Sequence, residues 1–247
     1  MKLELDEKFS DFLRDKIVSN YRSRLPRQGK WHVSDLLFPR YAVLNRRQPH
    51  QPTNDEIGFF LTGEAYHNFI QELLGKQNSE VKAEAIDVLA SADFFDGGTL
   101  IEFKTSRKWT IPETPEEHYI KQAAYYAFIF AVKSVRISVI YPTSGRKWDG
   151  STSSTVEIRS WIVLFSDEDI TEIKEEMTGL VKDMTEAYKT GDVSSLPECP
   201  EWKFGSIERD KEKQEYYIKI RCPFTEICLC SSSLKEQLEY KNAHRRK

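Results

Sequence analysis

Two carboxylates and a lysine are spaced in the sequence so that the carboxylates can bind a metal ion beside the ammonium. Glu102 and Lys104 are separated by one residue inside an apolar stretch that begins at Leu100, and Asp93 precedes them. Because side chains alternate between the two faces of a β-strand, Glu102 and Lys104 point to the same side. This predicts a carboxylate and an ammonium held next to each other on a rigid strand. Taken alone, the short pattern has a simpler interpretation, an exposed strand face with a weak ion pair.

The residues upstream predict that Asp93 joins Glu102 on that face. Gly97-Gly98 suits a two-residue hairpin turn, since glycine adopts positive φ without strain. With this turn Asp93 lies opposite Glu102, where two like charges about 5 Å apart at Cβ repel each other. Either the two carboxylates extend apart into water, or a hard divalent cation lies between them, and Mg²⁺ or Mn²⁺ prefers carboxylate oxygens. We therefore expect a metal site at Asp93 and Glu102, with Lys104 facing the ion and its substrate.

Four motifs follow one another in an order that resembles a known nuclease family. They are Gly63-x-x-x-His67, Asp93, Glu102-x-Lys104 and Gln122-x-x-Tyr125. Together they resemble the PD-(D/E)XK nuclease superfamily in its RecB-like exonuclease branch, which includes the CRISPR-associated exonucleases. The motifs span 63–125, weaker similarity extends over 33–230, and Ala92 stands where the family pattern has proline.

The resemblance implies a fold and a reaction. The fold is α/β, with a restriction-endonuclease-like core in which a mixed central β-sheet is flanked by helices, and with helical N-terminal and C-terminal additions. The reaction is metal-dependent hydrolysis of DNA phosphodiester bonds, most simply by an exonuclease acting on single-stranded or linear DNA. The alternatives are a structure-specific endonuclease or DNA-end-processing subunit of a repair or CRISPR adaptation complex, and a non-catalytic DNA-binding adaptor. Assembly into a homo-oligomer, or with repair or CRISPR proteins, is also compatible with it.

The resemblance also assigns roles to residues. It implies that Asp93, Glu102 and Lys104 are catalytic, and that Mg²⁺ or Mn²⁺ is held by His67, Asp93, Glu102 and the carbonyl of Phe103. Gln122 and Tyr125 would contact substrate or metal-bound water, while a hydrogen bond inside the core is the alternative for both. Gly63 is expected to let a neighbouring backbone approach its helix.

A basic and aromatic segment follows the predicted Glu102 strand. Arg107, Lys108 and Trp109 are consecutive, so a base could stack on the indole while the two cations contact phosphates. An exposed loop with a packed tryptophan is an equal alternative for so short a signal. We expect these residues to bind substrate.

The four cysteines raise the question of an iron–sulfur cluster. Many relatives hold a [4Fe–4S] cluster, and Cys222-x5-Cys228 fits two of the four family positions, whereas Lys219 and Phe38 occupy the other two. Cys199 and Cys230 could substitute, because a cluster needs four thiolates and no single fixed spacing. We expect that no cluster forms and that this part of the chain packs through apolar residues.

Composition narrows the class of protein. The chain has 247 residues, 39% of them hydrophobic and 30% charged, with a net charge of −3. This is typical of a globular protein and excludes a general positive charge, so a DNA-binding surface must be local. The first residues are too charged for a signal peptide, and the longest apolar run, 123–132, is too short to span a membrane. We expect a cytoplasmic, intracellular protein of prokaryotic type.

The periodicity of apolar residues, together with the positions of glycine, proline and helix-capping residues, predicts the helices and strands that position these residues. Helices are expected over 3–20, 36–45, 55–74, 116–132 and 167–188. Strands are expected over 80–95 (one or two), 100–106, 135–141 and 156–165, with a turn-rich excursion over 142–154. The division expected is an N-terminal helical segment (1–55), a nuclease core (56–190) and a cysteine-containing C-terminal segment (191–247). Glu84 and Asp87 are alternative candidates for the site carboxylate, but we expect them to be solvated strand residues.

Overall fold

The computed structural model describes residues 7–24, 27–75, 77, 79–106, 111–146, 152–200, 205–209, 216–220, 222–224 and 237–239. The chain forms two compact units, each assembled from separate stretches of sequence. The first unit contains Met1–Arg27, Gln51–Ala85 and Leu89–Lys174, and the second contains Gln28–His50, Ile86–Val88 and Glu175–Lys247. None of the described helices is long and apolar enough to cross a membrane.

The helices and strands follow one another in a mixed order along the chain. They are α1 (Glu7–Arg22), β1 (Trp31–His32), α2 (Val33–Leu37), α3 (Pro39–Arg47), α4 (Asn54–Leu74), β2 (Ser79–Ala85), β3 (Val88–Asp96), β4 (Thr99–Thr105), α5 (Glu117–Ile129), β5 (Ser134–Arg146), β6 (Thr152–Leu164), α6 (Asp167–Thr190), β7 (Gly205–Arg209) and β8 (Tyr216–Ile220).

A mixed sheet forms the centre of the first unit. Strands β3, β4, β5 and β6 lie side by side in that order, and β2 also pairs with β3. The β3–β4 and β5–β6 pairs are antiparallel, whereas β4 and β5 are parallel. Helix α5 packs against β5, and α4 packs against β4. The predicted α/β fold, a mixed central sheet flanked by helices, is confirmed.

The hairpin between β3 and β4 has the predicted turn. Asp96 pairs with Thr99, and Phe94 pairs with Ile101. The turn residues Gly97 and Gly98 have φ of 54° and 90°, in the left-handed region that glycine adopts without strain. The register that follows from this turn brings Asp93 next to the β4 residues that were expected to face it.

Helix α4, which carries His67, begins and ends where its sequence predicts. The Thr53 hydroxyl accepts a hydrogen bond from the Glu56 backbone N–H (3.3 Å), and the Glu56 carboxylate accepts one from the Thr53 N–H (2.7 Å). This reciprocal capping box satisfies two N–H groups that have no partner inside the helix. Gly75, at φ 87°, ends the helix.

Removing the Thr53 cap is expected to destabilise the first unit. A Thr53→Ala variant should lose about 1 kcal/mol of unfolding free energy, because one amide at the helix start loses its acceptor. Urea unfolding followed by circular dichroism measures the change. Thr53→Ser keeps the hydroxyl and serves as the matched control, so an equal loss in both variants would contradict the capping role.

Two sequence-based expectations are wrong. The helix expected over 36–45 is two helices, α2 and α3, because Phe38 leaves the helical region (φ −137°, ψ 64°) immediately before Pro39. The residue before a proline is sterically disfavoured in the α conformation. The excursion expected over 142–154 is largely strand, since β5 continues to Arg146 and β6 starts at Thr152.

Alternate residues of β5 direct their backbone N–H and C=O groups toward β6, and this explains why Pro142 does not end β5. The N–H of Phe165 donates to the carbonyl of Lys133 (3.0 Å), so odd-numbered β5 residues exchange hydrogen bonds with β6. Pro142 is even-numbered, and the position of its missing N–H points away from β6. It also lies past Ile140, the last β5 residue in register with β4.

The second unit is held together by buried arginines and aromatic contacts. The Arg40 guanidinium donates to the carbonyls of Leu196 (2.8 Å) and Ser194 (3.3 Å). Arg46 stacks 3.8 Å from the centre of the Trp31 ring and donates to Asp35 (2.8 Å). These contacts satisfy charged groups that would be costly to bury alone.

Two of the four cysteines lie in the described part of the second unit. Cys199 and Cys222 are both buried there. In the same unit Phe224 is also buried and packs edge-on against Tyr41. Cys228 and Cys230 lie outside the described residues, so the absence of a [4Fe–4S] cluster stays a prediction.

Candidate active site

Asp93 and His67 form the first part of the candidate site. The Asp93 Oδ1 atom lies 3.1 Å from His67 Nδ1, and Asp93 Oδ2 accepts a hydrogen bond from the backbone N–H of Phe103 (2.7 Å). Helix α4 and strand β3 are thus joined at the point where β3 faces β4. The structure brings together His67 and Asp93, which the sequence motifs had assigned to one site.

Glu102 and Lys104 form the second part of the site. The Lys104 ammonium donates to Glu102 Oε1 over 2.6 Å, as expected for residues two apart on one strand. Glu102 is only 5% exposed, so the pair is no surface salt bridge. Gln122, on α5, donates from Nε2 to the same oxygen over 2.9 Å. Helix α5 therefore covers the face of β4 that carries the two charges.

The other oxygen of Glu102 has no hydrogen-bond partner. Across the part of the chain that the structure describes, Glu102 Oε2 is the single buried side-chain oxygen or nitrogen without one. Burial raises the pKa of Glu102 to about 7, although the nearby Lys104 opposes this change. A buried carboxylate oxygen left without a partner is destabilising, so the site favours a proton or a cation at this position.

Asp93 favours the protonated form of His67. The hydrogen bond to Asp93 raises the pKa of His67 above its ordinary value, while burial acts in the opposite direction. Only a neutral imidazole ligates a metal ion. A metal bound at His67 must therefore compete with a proton that Asp93 stabilises.

Tyr126 belongs to this network and was missed by the sequence analysis. Its hydroxyl donates to the carbonyl of Ser91 (2.8 Å) and accepts from Gln122 Nε2 (2.9 Å), so it connects β3 to the amide that holds Glu102. The available signal was helical spacing, since Tyr126 lies four residues after Gln122 and therefore on the same face. The family motif points instead to the adjacent Tyr125.

The structure agrees with some of the remaining sequence-based expectations and disagrees with others. Tyr125 is fully buried, which fits the alternative of a core residue better than contact with substrate. No described atom lies within 4 Å of a Cβ placed on Gly63, so the expected close approach of a backbone there is wrong. Arg107, Lys108 and Trp109 lie outside the described residues. Glu84 and Asp87 are exposed, as expected for solvated carboxylates.

The donor chemistry fits a hard divalent cation, although its ligands are not assembled. The unpaired Glu102 oxygen and the neighbouring Asp93 are the oxygen ligands that Mg²⁺ or Mn²⁺ prefers. Both Asp93 oxygens, however, already accept hydrogen bonds. No group of three or more His, Cys, Asp or Glu side chains within the described ranges has metal-binding spacing. Each carboxylate oxygen has two lone pairs, so Asp93 can ligate an ion and still accept these hydrogen bonds.

Comparison with known proteins finds similarity in structure alone. No protein-family model and no curated protein matches the sequence. The crystal structure of SSO0001 superposes with a TM-score of 0.54 at 18% identity, covering 89% of this chain and 95% of that one. This similarity shows a shared fold, and at this identity it shows nothing about activity.

Two exonuclease structures match more weakly. An alkaline exonuclease (LHK-Exo) from Laribacter hongkongensis has a TM-score of 0.42 at 17% identity, covering 71% of this chain and 94% of that one. A phage-related exonuclease from Haemophilus somnus 129PT has a TM-score of 0.43 at 14% identity, covering 65% and 83%. At these scores neither match supports an argument, so function is inferred from the site itself.

Proposed function

We propose that this protein is a divalent-metal-dependent deoxyribonuclease that hydrolyses phosphodiester bonds. The observation that supports this most strongly is the buried Glu102, whose Oε1 is held by Lys104 and Gln122 while Oε2 has no partner. A purely structural ion pair gains nothing from an unpaired, buried carboxylate oxygen. Perturbed carboxylates beside a cation are typical of functional sites.

Asp93, Glu102, His67 and the carbonyl of Phe103 would hold the ion. They lie on β3, β4 and α4, and the Asp93 carboxylate is within hydrogen-bond distance of both His67 and the Phe103 backbone. A bound Mg²⁺ or Mn²⁺ supplies Lewis acidity, polarising the phosphate and lowering the pKa of a water molecule. The sequence resemblance to PD-(D/E)XK nucleases is consistent with this set.

The chain's own residues position and neutralise charge. Lys104 is oriented by Glu102 Oε1, and its ammonium would stabilise the negative charge that develops on the oxygens of the scissile phosphate. Gln122 and Tyr126 hold Glu102 from the α5 side, through hydrogen bonds that end on the Ser91 carbonyl. His67 orients Asp93. This preorganisation reduces the rearrangement needed during reaction.

The substrate proposed is single-stranded or linear DNA, cleaved from its ends. Arg107 and Lys108 would contact phosphates while a base stacks on Trp109, which gives weak sequence preference and strong dependence on salt. The alternatives are an endonuclease or end-processing subunit of a repair or CRISPR adaptation complex, and a DNA-binding adaptor without activity. The compartment proposed is the cytoplasm.

One digestion experiment separates these functions. Circular single-stranded DNA, the same DNA linearised, and linear duplex are incubated with the protein in Mg²⁺, Mn²⁺ or EDTA. Loss of linear DNA alone, dependent on metal, is expected for an exonuclease. Cleavage of the circle shows an endonuclease. DNA binding without cleavage in either metal would overturn the enzymatic proposal in favour of the adaptor.

A further inference from the structure

Strand β6 has a long apolar edge that the described part of the molecule does not cover. It pairs with β5 on one side, and no described strand pairs with its other side. Four large apolar side chains on it are exposed, Val156 by 63%, Ile158 by 55%, Ile162 by 55% and Leu164 by 74%. Long apolar edge strands pair readily with another chain, and proteins usually protect them with charges, prolines or bulges.

The exposed side chains and the outward-facing backbone groups belong to the same residues. The hydrogen bond from the N–H of Phe165 to the carbonyl of Lys133 places odd-numbered β6 residues in the β5 ladder. Even-numbered residues therefore direct their N–H and C=O groups away from β5. On the opposite face, Arg159 and Trp161 donate side-chain hydrogen bonds to the backbone of residues 112–113.

The exposed residues are arranged symmetrically. Along the strand they are Val156, Ile158, Ser160, Ile162 and Leu164, that is, two apolar residues, a serine and two apolar residues. In an antiparallel pair centred on Ser160, Val156 of one copy lies opposite Leu164 of the other, and Ile158 lies opposite Ile162. Centring the pair on Ile158 or Ile162 instead places an apolar side chain opposite Ser160.

We propose that the protein forms a two-fold symmetric dimer in which β6 pairs antiparallel with β6 of a second copy, centred on Ser160. A two-fold interface places the same patch on both subunits, which requires a self-complementary surface. The symmetric pattern on β6 meets this requirement without any other residue. This inference does not depend on the proposed nuclease function.

The opposite face of β6 is also compatible with this register. There Arg159 lies opposite Trp161 of the second copy, an arrangement that allows a cation–π contact. Glu157 lies opposite Val163, so no like charges meet. Within one copy the Arg159 guanidinium donates to the Glu157 carboxylate over 3.1 Å, and this pair stays intact.

The interface is of sufficient size for a weak dimer. Five outward-facing residues per copy supply a donor and an acceptor each, so the pairing forms roughly ten hydrogen bonds, as many as a typical interface. The four apolar side chains each expose roughly 100 Å², and the partner strand covers the flank of each that faces it, so the interface lies at the small end of specific interfaces. We therefore expect a dissociation constant in roughly the micromolar range.

The dimer joins two sheets into one continuous sheet. The strands that carry Glu102 in the two copies are five strand spacings apart, roughly 24 Å. Because the two-fold axis runs perpendicular to the sheet, both Glu102 side chains lie on the same face. The two candidate sites are then presented to one side of the dimer.

Light scattering and sedimentation over a series of concentrations test the dimer. The wild-type protein should shift from monomer to dimer as its concentration rises through the micromolar range. The variant Ile158→Lys/Ile162→Lys places like charges opposite each other and should stay monomeric. Ile158→Glu/Ile162→Lys places opposite charges in the same register and should restore the dimer at low salt. The matched control, Phe69→Lys/Leu73→Lys on α4, changes equally exposed apolar residues and should dimerise normally.

A cross-link tests the register even if a charged variant folds poorly. Opposed Cα atoms in a hydrogen-bonded antiparallel pair lie about 5.5 Å apart, a separation that a disulfide spans. Ser160→Cys should therefore form a disulfide between copies on mild oxidation, mapped to position 160 by mass spectrometry because the chain has four native cysteines. Glu157→Cys should not. A wild-type monomer at all concentrations, or equal cross-linking at both positions, overturns the proposal.

Discussion

Replacing Lys104 by methionine lowers the rate of DNA cleavage by at least about a thousandfold while the protein remains folded. The methionine keeps most of the apolar stem, so packing is retained and the ammonium alone is lost. Removing one preorganised charge or hydrogen-bond donor from a developing oxyanion typically costs a hundred- to a thousandfold, and here Glu102 also loses the cation that its Oε1 contacts. The measurement is single-turnover cleavage of a labelled DNA strand in Mg²⁺ or Mn²⁺.

The control for this variant is Lys82→Met. Lys82 lies on β2, is exposed, and was not assigned to the site. The Lys82→Met variant should cleave DNA at close to the wild-type rate. Both the Lys82→Met and the Lys104→Met proteins should give wild-type circular dichroism spectra. If Lys104→Met retains more than about a tenth of the wild-type rate, the catalytic role of the Glu102–Lys104 pair is wrong.

Replacing Glu102 by glutamine abolishes cleavage and at the same time stabilises the metal-free protein above pH 7. Burial holds the pKa of Glu102 at about 7, against an ordinary value of 4.5. Between these two pH values the unfolded chain releases the proton while the folded protein retains it, so wild-type stability falls as pH rises from about 4.5 to about 7. By pH 8 the wild-type protein has lost on the order of 3 kcal/mol of its free energy of unfolding, and the glutamine variant does not show this loss.

Urea unfolding at pH 5 and pH 8, in EDTA, measures this effect. The glutamine variant gains stability relative to the wild type, but its neutral amide accepts a weaker hydrogen bond from Lys104, which offsets part of the gain. We therefore expect a net stabilisation of about 1–3 kcal/mol at pH 8. The raised pKa of His67 also makes stability fall with pH, but above about pH 6.5 and in both proteins. Curves for wild type and Glu102→Gln that run parallel between pH 5 and pH 8 would falsify the assignment.

An exposed carboxylate provides the comparison for this second prediction. Glu84→Gln changes the same chemical group on β2, where the side chain is exposed. It should alter neither the pH dependence of stability nor cleavage. Added Mg²⁺ or Mn²⁺ should stabilise the wild-type protein and the Glu84 variant and leave Glu102→Gln unaffected, because a ligand that binds only the folded state shifts unfolding by mass action.

The two predictions share one physical cause. A carboxylate that is 5% exposed with one unpaired oxygen weakens the fold at neutral pH. Such a group persists when a function depends on it, because strained or destabilised sites are commonly retained for activity.

The local parts of the site could be predicted from the sequence. Gly97-Gly98 determines the hairpin turn, and the register that it produces brings Asp93 next to β4. The pairing of Glu102 with Lys104 follows from the two-residue period of a strand. Asp55-Glu56 and Gly75 predicted the bounds of α4 to within one residue, because helix ends depend on residues within one turn. Each of these predictions needed contacts only between residues close in sequence.

Contacts between distant segments were decided by the tertiary structure alone. The burial of Glu102 depends on α5 covering its strand face, and the Tyr126 hydroxyl reaches the Ser91 carbonyl, 35 residues earlier in the chain. The extension of β5 past Pro142 depends on which direction that residue faces in the ladder. The sequence by itself therefore determined which charges share a strand face. Only packing determined that one of them lost its access to water, because desolvation depends on every segment that covers a group.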